Sequence, residues 1–151
     1  MNTRSAMLGV LAVSGVLTIT EVRAQGITPD QIKFQRNPAT GSEIGAVLGD
    51  PTKKELFVTR VKYPPGFKAM PHSHPIDLHV TVLEGTLHFA EGETFDESKL
   101  KAYPAGSVIM EKANVPHYQM SKGPVVFQAA GIGPNAFNFV NPAHDPRKQK
   151  K

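Results

Sequence analysis

The chain has 151 residues, no cysteine and a formal charge of +4. Its length suits one domain with a real core, and the missing cysteine excludes disulfides and thiolate metal ligands, leaving nitrogen and oxygen donors. Arg4 and Arg23 lie near the start and Arg147, Lys148, Lys150 and Lys151 at the end, so the chain between is close to neutral and does not read as a nucleic-acid-binding face.

Residues 1–24 read as a signal peptide. Met1 to Arg4 bring a start and a positive charge, Ala6 to Thr20 are apolar and uncharged, and Val22-Arg23-Ala24 offers small residues where a signal peptidase cuts. The run is short for a span of about 20 apolar residues, so cleavage after Ala24 is expected, with no stable membrane anchor afterwards. The expected location is periplasmic or secreted, and the mature chain has about 127 residues.

Residues 25–50 are polar and rich in Gly and Pro, with turn signals at Asn37-Pro38 and Gly49-Asp50-Pro51. They predict an N-terminal arm with one strand around Ala46. Residues 51–141 hold short apolar runs: Glu55–Tyr63, Leu78–Leu83, Thr86–Ala90, Ser107–Met110, His117–Met120, Val125–Ala130 and Ala136–Val140. Valines and phenylalanines dominate these runs, and their spacing predicts an all-β sandwich or barrel. Glu84-Gly85 signals a hairpin, and Pro64-Pro65-Gly66 closes the strand before it. Only Phe95–Lys101 reads as helical, one or two turns long. Residues 142–151 form a basic tail, with His144 expected in solvent.

The chemistry-bearing residues are histidines. His72 and His74, one residue apart, share a face if they lie on a strand. A third imidazole from a later strand, His117, would complete a metal site. His88 reads as a barrel residue. No general base with a second partner stands out, and there is no Gly-x-Ser-x-Gly elbow, phosphate loop or dinucleotide fingerprint. A catalytic residue is therefore not identified from the sequence, and any chemistry would rest on a metal.

Gly66, five residues, His72, Ser73, His74, and later Gly85 after Val82-Leu83-Glu84, resemble the first motif of the cupin superfamily. Gly106, five residues, Lys112, Ala113, Asn114, two residues, His117 keeps the spacing of the second motif. Lys112 and Asn114 replace its Pro and Gly; Asn tolerates the same left-handed turn. The resemblance, to small single-domain cupins, spans residues 66–117. It implies a jelly-roll β-barrel with one short helix, a divalent transition metal (Fe, Zn, Mn, Ni or Cu) and a homodimer paired through the N-terminal arm.

The sequence departs from the first motif at its acidic ligand. Counted back from Gly85, that position is Leu78, whose alternation with Val80 and Val82 turns it inward. Counted forward from His74, it is His79, which a bulge would have to turn inward. The fourth ligand is therefore absent, His79, or Asp77. Met70, Leu78, Val80 and Val108 are the expected pocket around the metal, suited to a small organic substrate. The resemblance implies a metal-dependent dioxygenase or an isomerase- or lyase-like enzyme; the rival reading is a non-catalytic module that binds a small molecule or metal.

Overall fold

The computed structural model describes residues 26–148. The signal peptide expected over residues 1–24 lies outside the described residues, as do the last three residues of the tail. The strands are β1 (Phe34–Arg36), β2 (Glu43–Leu48), β3 (Leu56–Tyr63), β4 (Lys68–Ser73), β5 (Leu78–Glu84), β6 (Thr86–Glu91), β7 (Lys101–Pro104), β8 (Val108–Glu111), β9 (His117–Ser121), β10 (Val125–Ile132) and β11 (Asn138–Phe139). They form a six-stranded sheet ordered β1-β2-β3-β10-β5-β8 and a five-stranded sheet ordered β11-β4-β9-β6-β7. Every ladder is antiparallel. This is the jelly roll that the cupin resemblance implies.

Strict alternation builds the larger sheet. Phe57, Thr59, Val61 and Tyr63 of β3, Leu78, Val80 and Val82 of β5, and Val125, Phe127 and Ala129 of β10 are all buried. Val61, Tyr63, Val80, Val82, Val125, Phe127 and Ala129 meet Ala69, Leu87 and Phe89 from the second sheet in one core. Burying each valine, leucine and phenylalanine side chain contributes roughly 1.5–3 kcal/mol, which outweighs any local preference of these short segments. Gly85 turns β5 into β6 at φ 74°, and a Cβ there would stand 2.2 Å from the Pro124 carbonyl oxygen. Only glycine fits that approach.

The N-terminal arm is built into the larger sheet. The strand expected around Ala46 is β2, which pairs with β3 through Ile44↔Val61, and β1 adds a second strand outside it. The helix expected over Phe95–Lys101 shortens to a single 3-10 turn, Glu97–Lys99, and Lys101 already opens β7. Asp96 caps that turn by accepting from the Ser98 N–H at 3.0 Å. Phe95 packs on the buried Tyr118, whose hydroxyl donates to the Asp96 carbonyl at 3.1 Å, so side-chain contacts hold this loop.

The start of the tail departs from expectation. Pro142–His144 forms a 3-10 turn, and Asp145 is buried against the Arg147 guanidinium at 2.7 Å. Arg147 also donates to the Phe137 carbonyl oxygen at 2.9 Å. His144 is half-buried, and its Nδ1 has no hydrogen-bond partner among the described residues. The anchor is an arginine–carboxylate pair, which a count of basic residues does not reveal.

Candidate metal centre

His72 lies near the end of β4 and His74 just beyond it; His117 opens β9. The β4–β9 register shifts between Ala69 and His72 and sets His72 directly opposite His117. Asn114 takes φ 61°, the left-handed turn its place in the motif requires, and its N–H donates to the His74 carbonyl oxygen at 2.7 Å. The turn before β9 is thus tied to the segment that carries the histidine pair.

The three imidazoles are buried, with ring centroids 4.5–5.4 Å apart. One ring nitrogen from each lies within 4.8 Å of the others. Their Nδ1 atoms are committed to oxygen acceptors: Met70 O at 2.7 Å for His72, Ala136 O at 2.8 Å for His74, and Val115 O at 3.1 Å for His117. Asn135 Oδ1 adds a second acceptor for His74 at 3.0 Å. A carbonyl oxygen only accepts, so each Nδ1 carries the hydrogen and each Nε2 presents a lone pair. Phe137 stacks on His72 at 4.0 Å and meets His74 edge-on at 4.7 Å, while Phe89 stacks on His117 at 5.4 Å, so packing also orients the rings.

These donors fit a divalent transition metal. Three neutral imidazoles converge, each oriented from behind as metal-bound histidines usually are. His117 Nε2 is buried with no hydrogen-bond partner among the described residues, a loss of solvation that an ion would offset. Iron, zinc, manganese, nickel and copper all accept such a nitrogen and oxygen set.

Glu111, at the end of β8, joins the cluster without any marking motif in the sequence. It is 3% exposed, with Oε2 3.5 Å from His117 Nε2 and 3.8 Å from His74 Nε2. Its Oε1 accepts from Gln119 Nε2, and the Tyr63 hydroxyl donates to Gln119 Oε1 at 2.8 Å. A signal for it exists in the alternation of β8, where Ile109 and Glu111 turn inward and Val108 and Met110 outward. The strand is too short to set its own parity without knowledge of its partner.

Burial controls the charges in this cluster. It pushes His72 well below its ordinary 6.5, helped by the neighbouring His117 and His74 and opposed by the Met70 carbonyl. It lowers His117 to about 4 and lowers His74 as well. It pushes Glu111 up to about 8, against the opposing hydrogen bond from Gln119. Without a cation the histidines are therefore neutral at neutral pH, the form that ligates metal.

The cluster opens into a cavity of about 280 Å³ between the sheets. His72, His74, Leu78, Val80, Glu111 and Gln119 are among its walls, and Phe137 and Arg147 join them from the C-terminal segment. Leu78 and Val80 are where the alternation of β5 placed them. Four expected residues stand elsewhere. His79 is exposed and apart from the three imidazoles, because no bulge interrupts the inward parity of Leu78 and Val80. Asp77 is exposed and accepts from the Ala113 N–H at 2.8 Å and from Lys112 Nζ at 3.1 Å, so it braces the loop before His117. Val108 is 64% exposed on the outer face of β8. Met70 faces a separate crevice; only its backbone carbonyl serves the site, by holding His72.

Solved structures with this fold include the polyketide cyclase RemF from Streptomyces resistomycificus, with a TM-score of 0.68 and 16% identity over 83% of this chain and 92% of that one. A cupin-2 domain protein from Rhodospirillum rubrum matches with a TM-score of 0.60 and 12% identity, over 81% and 83% of the two chains. A predicted oxalate decarboxylase from Thermotoga maritima matches at 0.59 and 20%, over 72% and 98%. At these identities the likeness is one of fold. No curated protein matches the chain by sequence. The family model described as a domain of unknown function, DUF4437, matches residues 16–124. This chain belongs to the DUF4437 family, a cupin-like domain, and its fold is that of the cupins.

Proposed function

We propose that this chain is an exported, metal-dependent cupin enzyme that acts on a small organic molecule beside a three-histidine centre. One observation carries the reading: three buried imidazoles whose Nδ1 atoms are all committed elsewhere, so that their Nε2 lone pairs are left within one tight cluster. A divalent ion held there would supply a Lewis acid for a substrate oxygen or a site for oxygen chemistry. His72, His74 and His117 would hold it. Leu78, Val80 and Phe127 give the cavity an apolar wall, and its volume of about 280 Å³ favours a compact ligand over an extended one. Gln119 and Asn135 add polar contacts able to orient a carbonyl or hydroxyl group.

The reaction would be of the dioxygenase type or of the isomerase or lyase type. The names of the fold neighbours, a polyketide cyclase and a predicted oxalate decarboxylase, favour carbonyl-bearing substrates. Metal analysis of protein purified without added metal comes first. Oxygen uptake and substrate loss over phenolic, diketone and thiol compounds then separate the reaction types. Zinc alone, with no turnover of any class, would defeat the dioxygenase form. Thermal stabilisation by a compound that is never consumed would make the protein a binding module instead. Export is checked by the mass of the mature chain, expected to begin at Gln25, and the homodimer by light scattering.

A further inference from the structure

We propose that Glu111 is the carboxylate ligand of this centre, delivered by β8 in place of the acid that Leu78 displaces from β5. The proposal rests on the metal reading above and names a residue that no cupin motif places. Leu78 and Glu111 are direct partners in the β5–β8 ladder. Residues facing each other across an antiparallel pair project to the same side of the sheet, with Cβ atoms only about 5 Å apart. An acid moved from position 78 to position 111 therefore stays over the same part of the cavity.

Two of the three imidazole distances agree with shared coordination; Glu111 is not within 4.8 Å of all three histidines. Two ligand atoms each about 2.1 Å from one ion stand roughly 3.0 Å apart at right angles, 3.4 Å apart in a tetrahedron and 4.2 Å apart across the ion. Glu111 Oε2 lies 3.5 Å from His117 Nε2 and 3.8 Å from His74 Nε2. Among the described residues no lysine or arginine pairs with this carboxylate. A buried ionised carboxylate without a cation is costly, and a divalent ion would offset that cost. Its other oxygen is already engaged: Tyr63 donates to Gln119 Oε1, which turns the Gln119 amide N–H toward Glu111 Oε1. Oε2 is thereby left for the ion.

Cobalt(II), whose visible bands report its coordination, tests the assignment on the full chain stripped with chelator. One cobalt per chain is expected for the wild type. Glu111→Gln keeps the shape and the Gln119 contact; it is expected to weaken binding at least about tenfold and to shift the bands. Glu111→Asp draws the carboxylate back by one methylene and gives the same readout should the amide variant fail to fold. Unchanged affinity, or weaker binding with unchanged bands, overturns the proposal while His72→Ala/His117→Ala still abolishes uptake. If that double variant takes up cobalt as the wild type does, the metal reading itself fails, and the proposal with it.

Discussion

Two strand pairs face each other across the cavity. In the β4–β9 pair, His72 stands opposite His117; in the β5–β8 pair, Leu78 stands opposite Glu111. Both are antiparallel, and all four residues are buried. The first pair is announced by glycine-led spacings, because a turn of fixed length must precede each histidine. The second carries no such mark. A ligand that follows a turn can be counted along the chain, whereas one that arrives through strand register can be found only from its partner.

The largest expected effect falls on the histidine wall. His72→Ala/His117→Ala should abolish metal uptake, measured as metal per chain by elemental analysis, while the fold survives with its apolar core intact. Next is an exchange across the other wall. Glu111→Leu alone should lose metal affinity, and Leu78→Glu/Glu111→Leu should recover it to within about tenfold of wild type, since the acid keeps its face. Competition with a chelator reads both; no recovery would mean that the two ladder positions are not equivalent.

The two walls should also titrate with opposite sign in metal-free protein. The histidines, with His117 lowered to about 4, stay neutral in the fold while the unfolded chain takes up protons from 6.5 downward. Their contribution to stability is present above 6.5 and lost as pH falls. Glu111, pushed up to about 8 from its ordinary 4.5, behaves in reverse: its contribution is full below 4.5 and lost as pH rises to about 8. Denaturant melts across pH should therefore show an intermediate maximum, and Glu111→Gln should remove only the alkaline side of it.

Smaller effects sharpen the boundary of the site. Tyr63→Phe removes the hydroxyl that holds Gln119 and should cost about 1 kcal/mol in a denaturant melt. His79→Ala and Val108→Thr lie on the outer face of the same ladder and should change stability by no more than about 0.5 kcal/mol. Neither should alter metal content, in contrast to Glu111 on the inner face of the same ladder.

Much of the barrel was legible in the chain because alternation and turn residues act locally. Phe57 to Tyr63, Leu78 to Val82 and Val125 to Ala129 announce their buried parity in sequence, and Gly85 and Asn114 mark turns that need positive φ. Apolarity misled where it was read without parity: Val108 suited a pocket by type but sits on the outer face of β8. Proximity misled for Asp77 and His79, which are near His74 along the chain yet turned outward. The tail misled because its charge masked the buried Asp145–Arg147 anchor.

The sequence by itself determined the strand pattern, the turns and the three histidines, since each follows from residues within a few positions of one another. Tertiary structure decided the rest of the site. Register set Glu111 against Leu78, the C-terminal segment brought Phe137 and Ala136 onto the histidines, and Tyr63 reached Gln119 from the other sheet. Those contacts join residues far apart in the chain, and only the packing of the two sheets brings them within bonding distance.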